Sequence, residues 1–168
     1  MKYIEKDLIK IKRLAAIREN ENIRFRTFLK GKDGVKVDRI VHQLHRDIVT
    51  QIDCTLCGNC CCQLKPELHE KDIAILSQME EMTPEDYLAS YCEKDDFGDI
   101  SFKTLPCRYL ERKKCSIYES RPEKCKHFPY TDKNGFVSRL LGMLSFYELC
   151  PIVFNLMERL KEEFRFRR

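Results

Sequence analysis

Between positions 54 and 62 the chain reads Cys54-Thr55-Leu56-Cys57-Gly58-Asn59-Cys60-Cys61-Cys62, which puts five of its ten cysteines within nine residues. Packing alone does not call for such a density. A thiolate is a ligand for soft or borderline ions such as zinc and iron, and two-residue gaps let a tight loop turn several sulfurs onto one centre. The run therefore predicts a metal site, and the remaining ligands are to be sought elsewhere in the chain.

A length of 168 residues with 43% hydrophobic side chains fits one domain with a single modest core. The opening Met1-Lys2-Tyr3-Ile4-Glu5-Lys6-Asp7 places charges where a secretory signal needs an apolar stretch. No later apolar run approaches the roughly 18 residues that span a bilayer. A cytoplasmic location without a membrane span is expected, and there thiols stay reduced, which favours metal or redox chemistry over disulfides. Small secreted disulfide scaffolds also rarely carry a long charged helical arm, and three consecutive cysteines do not easily all find bridges.

Lysine and arginine number 31 against 27 acids, and a net charge of +4 is too small to argue for nucleic acid. The imbalance is local. Residues 1–50 hold 13 basic and 7 acidic side chains, net +6, so residues 51–168 carry −2. A basic amphipathic arm precedes a near-neutral, cysteine-rich body, and the arm is the surface expected to meet any protein partner.

Ile4, Leu8, Ile11 and Ala15 mark one face of a first helix that runs on toward Phe28 before Gly31 and Gly34 break it. Val37, Ile40, Val41, Leu44 and Ile48 predict a second helix, on which His42 and His45 are read as exposed or edge residues. His69 to Met79 reads as a helix with Ile73, Leu76 and Met79 inward, and Thr83-Pro84-Glu85-Asp86 starts another that ends near Cys92. Strand-like pieces follow at Ile100-Ser101-Phe102 and Cys115-Ser116-Ile117-Tyr118, with a charged turn at Glu111-Arg112-Lys113-Lys114. Asn134-Gly135 marks a turn. Leu149, Ile152, Val153, Leu156 and Leu160 stripe a last helix before the basic tail Arg165-Phe166-Arg167-Arg168. The expected fold class is α+β: a small, mainly helical single domain with short hairpins, organised around a cysteine-ligated metal centre. Basic helices over 1–49 are expected to pack on a compact body over 50–168.

Beyond the cluster, Cys107 follows Pro106, Cys115 follows the charged turn, Cys125 follows Arg121-Pro122 and Cys150 precedes Pro151, settings that fix a side chain at a set angle. Consecutive side chains diverge in most backbone conformations, so Cys60 and Cys61 are expected to serve different metals or different edges of one polynuclear site. Eight cysteines make two four-sulfur sites. The predicted set is Cys54, Cys57, Cys60, Cys61, Cys107, Cys115, Cys125 and Cys150, with Cys62 and Cys92 left as buried or spare thiols. Zinc and an iron–sulfur cluster compete for this set. The start Cys54-x-x-Cys57-Gly58-x-Cys60 and the pair Cys150-Pro151 resemble parts of a ferredoxin run, but the fourth cysteine of that run would fall on Leu64.

Cys54-x-x-Cys57-x-x-Cys60-Cys61, then Pro106-Cys107-x-x-Leu110, then Cys115-Ser116-Ile117-Tyr118-Glu119-Ser120-Arg121-Pro122-x-x-Cys125-x-x-Phe128-Pro129 together resemble the YkgJ-type CxxCxxCC cysteine-cluster family of zinc- or iron-chelating domains. The likeness covers roughly residues 50 to 155. It implies metal binding more securely than any reaction. Flagellin lysine N-methylases are similar in this signature, and that branch implies an iron–sulfur cluster with S-adenosylmethionine and methyl transfer to protein lysines. No Gly-x-Gly nucleotide loop is present.

Three readings stand side by side: a metal-binding protein in metal handling or redox, with metal ions as its partners; a cluster-dependent protein methyltransferase; and a zinc-stabilised nucleic-acid binder, the least supported. No pattern decides whether the chain is an enzyme. Arg121 offers five fixed donors to cluster sulfurs or to an anionic substrate. The favoured reading has it bracing the loop between Cys115 and Cys125 while Tyr118 and Phe128 pack.

Overall fold

The structure is a computed structural model and describes residues 3–167, so Met1 and Lys2 of the charged opening and Arg168 of the basic tail lie outside the described residues. In chain order the elements are α1 (Leu8–Ile17), α2 (Glu19–Lys30), α3 (Gly34–Val49), α4 (Cys54–Cys57), α5 (Asn59–Gln63), α6 (Glu70–Met79), α7 (Pro84–Tyr91), β1 (Cys92–Lys94), β2 (Ile100–Phe102), β3 (Leu110–Glu111), β4 (Lys114–Cys115), α8 (Glu123–His127), α9 (Leu140–Tyr147) and α10 (Pro151–Glu163). Single 3-10 turns occupy Tyr118–Ser120 and Phe136–Arg139. The chain is mainly helical with short two-stranded sheets, as its patterning predicts. It divides into two compact units, one formed by the residues up to Asp53 together with those from Pro129 onward, the other by Cys54–Phe128.

In the first unit, Asp7 caps α1 by accepting from the backbone N–H groups of Ile9 and Lys10, and Asp33 caps α3 in the same way. The expected continuous first helix is broken at Arg18, whose backbone (φ −100°, ψ 11°) leaves the helical region. The guanidinium of Arg18 reaches Glu158 Oε2 at 2.5 Å, a long-range pairing that local periodicity does not reveal. Val37, Val41, Leu44 and Ile48 of α3 are buried, as are Ile152, Val153, Leu156 and Leu160 of α10, so the two predicted stripes do face the core. Asn155 of α10 fixes the incoming chain: its side chain accepts from Glu5 N and donates to Glu5 O and Pro151 O. The end of the chain is not merely basic, because the Phe166 ring packs 5.0 Å from Phe25 and 5.2 Å from Phe28. His42 and His45 are half-buried, and His45 Nδ1 lies 2.8 Å from the hydroxyl of the buried Thr131.

In the second unit, Thr83 caps α7 at Asp86 N and Pro84 takes the first turn, as read from the sequence. β2 pairs antiparallel with β1, a strand the sequence did not announce, in the register Cys92↔Phe102. The core joins Leu68, Ile73, Leu76, Tyr87, Phe102 and Tyr109. Met79 is not part of it; at 47% exposure it faces out, and Asp72 and Ser77 are buried on α6 instead. Asp72 earns that position by binding backbone at two places, accepting from His69 N through Oδ2 and from Glu123 N through Oδ1, both at 2.9 Å. A buried carboxylate thereby ties the start of α6 to the start of α8. The expected strand Cys115–Tyr118 is cut short, because Ser116 turns its N–H and hydroxyl to Tyr109 O and the chain then enters the 3-10 turn.

Candidate metal centre

Gly58 decides the shape of the cysteine loop. It joins α4 to α5 in the left-handed region (φ 58°), and a Cβ there would lie 2.6 Å from Lys113 O and 3.1 Å from Leu110 Cδ1. Only glycine combines that conformation with so close an approach to backbone. The loop is therefore pressed against the hairpin that carries Cys115. That hairpin closes on a two-residue turn, Arg112 and Lys113, with φ of 48° and 67°, the pairing that matches strand twist. Replacing Gly58 by alanine is expected to cost roughly 1–3 kcal/mol and to lower metal content, because strain and a backbone clash act together. Circular-dichroism melting with elemental analysis checks this; an unchanged melting temperature would refute it.

Three short elements and one loop segment bring thiols together. Cys60 and Cys61 lie on α5, Cys107 precedes β3, Cys115 ends β4 and Cys125 lies on α8. Cys107 N donates to Cys61 O at 2.7 Å, which locks the segment before β3 onto the cysteine loop. The Sγ atoms of Cys60 and Cys61 are 4.0 Å apart. Two sulfurs on one tetrahedral zinc at about 2.3 Å each would stand about 3.8 Å apart, close to the observed separation.

The electrostatics mark the same group. Cys125 is pushed up to about 12 by burial first, and then by the neighbouring Cys61, Cys107 and Cys115. Cys61 is raised by its contact with Cys60 and then by burial, and Cys107 and Cys115 are raised chiefly by burial with Cys61 adding to each. Arg121 opposes the rise at Cys61, Cys115 and Cys125, while Arg108 opposes it at Cys107. Half-buried thiols that hinder one another's ionisation are what a bound cation would relieve.

Among the described residues, no three His, Cys, Asp or Glu side chains already stand in a closed metal-ligating arrangement. The donor set nevertheless fits zinc or iron by its chemistry, since every gathered donor is a sulfur. All ten cysteines are thiols. Cys54 is exposed at the start of α4, Cys57 is half-buried at its end, and Cys62 is exposed. Cys92 is buried in the second unit's hydrophobic core, and burial raises its pKa. Cys150 belongs to the first unit, where it is buried as the N-cap residue of α10.

Sequence reasoning passed over a second polar cluster beside Cys107. Arg108 lies over the Tyr91 ring at 3.4 Å and pairs with Glu80 at 3.1 Å, and the buried hydroxyls of Tyr87 and Tyr109 meet at 2.8 Å. Tyr87 and Tyr91 are four apart on one helix, a spacing that offered a signal, but the partner residues are distant in the chain.

A family model described as "CxxCxxCC: Putative zinc- or iron-chelating domain" matches residues 53–142, more than half of the chain. The chain belongs to this family. The matched segment contains every cysteine of the second unit and stops short of Cys150. No curated protein and no solved structure matches the chain. No helix among the described residues is long and apolar enough to cross a membrane.

Proposed function

We propose that this CxxCxxCC domain holds zinc, or iron as an iron–sulfur cluster, through cysteine thiolates and serves in metal handling or redox chemistry. The observation that carries the reading is the approach of Cys60, Cys61, Cys107, Cys115 and Cys125 to one another from α5, β4, α8 and the segment before β3. A bound ion would supply the positive charge that lets these half-buried thiols ionise. The chain's own part is to present them: Gly58 permits the loop, Cys107 N–H pins it, and Asp72 anchors the helix bearing Cys125. Cys has one side-chain torsion with three staggered wells, so the thiols can turn toward an ion by changing rotamer. Cys54 and Cys57 extend the proposed set along the same loop, and Cys150, in the first unit, is assessed by its own substitution.

The test is a series of single serine variants purified without oxygen. Cys61→Ser, Cys107→Ser, Cys115→Ser and Cys125→Ser are expected to lose metal, because an alcohol oxygen is a poor ligand for soft ions. Cys54→Ser, Cys57→Ser and Cys150→Ser show which further thiols ligate, and Cys92→Ser is expected to keep full metal. Iron, zinc and acid-labile sulfide per chain, with visible absorption, give both occupancy and identity: iron–sulfur protein is brown and zinc protein colourless. Equal metal content across the series would refute the reading.

A further inference from the structure

Arg121 is half-buried and has a donor with nothing to bind. Its Nε is shielded from solvent and has no hydrogen-bond partner, although burying such a group unpaired is unfavourable. The guanidinium carbon lies 3.7 Å from the centroid of the Tyr118 ring, one turn earlier, which fixes where the group sits. Arg121 stands between the 3-10 turn that follows Cys115 and the helix that carries Cys125.

We infer that Arg121 is a positioning residue for the proposed thiolate centre, donating its unpaired N–H to a ligand sulfur and thereby setting how tightly and with what electronic character the metal is held. The inference rests on the metal-centre reading above. The guanidinium also lies within electrostatic reach of Cys61, Cys115 and Cys125. Four thiolates on a divalent ion leave two negative charges in a half-buried place, and a flat cation with fixed donors is suited to offset them. Arg108 is not equivalent, because Glu80 already pairs with it and its face lies on Tyr91. Arg139, whose Nε is also unpaired, spends its other nitrogens on the carbonyls of Tyr130, Lys133 and Asn134 within a turn.

Cobalt(II) chloride, whose tetrahedral thiolate complexes absorb strongly, is the probe, titrated into the full chain under reducing, anaerobic conditions. An N–H···S bond lowers the energy of the sulfur electrons, so it raises the energy of the thiolate-to-cobalt charge-transfer band. Arg121→Gln is expected to weaken cobalt binding about 10–100-fold and to move that band to lower energy. Arg121→Lys keeps the charge but not the flat donor held on Tyr118; it should retain part of the affinity while the band still moves. A brace alone would change the melting temperature and leave the band in place. An unmoved band and unchanged affinity in cobalt-loaded Arg121→Gln, or an unmoved band in Arg121→Lys should the first variant not fold, overturns this inference alone. Failure of the unsubstituted protein to bind cobalt through thiolates overturns the metal-centre reading, and this inference falls with it.

Discussion

Removing the metal is expected to unfold much of the Cys54–Phe128 unit, with a loss on the order of 10 kcal/mol if the centre is a structural zinc. The size follows from how little else holds the cysteine-bearing pieces. α4, α5 and α8 have four or five residues each, far below the length at which a helix is stable alone. The hairpin of β3 and β4 pairs only Leu110 with Cys115 and Glu111 with Lys114, and a two-stranded hairpin is marginal in water. The hydrophobic core takes no buried residue from 54–64, and residues 107–128 enter it only through Tyr109 and Ile117, with Cys107 and Cys115 packed at its edge and Glu123 N bound to Asp72. Hydrogen exchange with and without chelator checks this. Protection should fall first over residues 54–64 and 107–128, where the thiols lie, and last in the α6–α7 core. A chelated, metal-free sample that keeps its melting temperature and its exchange pattern would show that the sulfurs hold nothing together.

Where the sequence could be read and where it could not divides along the range of the interaction responsible. α3, α7 and α10 were legible because their signals are local: a regular apolar stripe in α3 and α10, a Thr-Pro start in α7. The break between α1 and α2 was not, because it accompanies the pairing of Arg18 with Glu158, 140 residues away. Met79 was placed inward by periodicity, yet the inward face of α6 includes Asp72, whose partner Glu123 N lies 51 residues on. In the same way, the types of the candidate ligands were plain from the cysteine spacing, but their grouping was not. Divergence of neighbouring side chains argued for giving Cys60 and Cys61 different metals or different edges of one polynuclear site, and their 4.0 Å separation is set by the helical turn after Gly58, which cysteine spacing does not reveal. Gly58 carried its signal openly, a lone glycine inside a metal loop, but the Lys113 carbonyl that makes it necessary belongs to a distant hairpin.

Lys161→Met is expected to destabilise the first unit by about 3–5 kcal/mol, a larger loss than its place near the end of the chain suggests. The side chain is only 4% exposed, and its ammonium lies 2.7 Å from both Glu21 Oε1 and Glu158 Oε1. Glu158 in turn accepts from Tyr147 OH at 2.7 Å and pairs with Arg18, so one ammonium sits within a shared network across α1's end, α2, α9 and α10. Methionine fills the space but leaves two carboxylates short of a cation. Burial works to raise the Glu158 pKa, yet the hydrogen bonds from Lys161 and Tyr147 and the charges of Lys161 and Arg18 outweigh it and hold the carboxyl below its usual range. A group depressed in the folded state stabilises fully above its unfolded pKa, and that stability is lost as pH falls through the folded pKa. The unsubstituted protein should therefore lose this contribution progressively below about pH 4.5, the ordinary carboxylate region. In Lys161→Met the depression is weaker, so the gap between the two proteins should be widest near neutrality and narrow in acid. Urea denaturation at neutral pH and at about pH 3.5, within the range where an ordinary Glu is protonated, measures it. A gap that is absent at neutral pH, or that does not shrink in acid, would mean that the ammonium is not what holds Glu158 ionised.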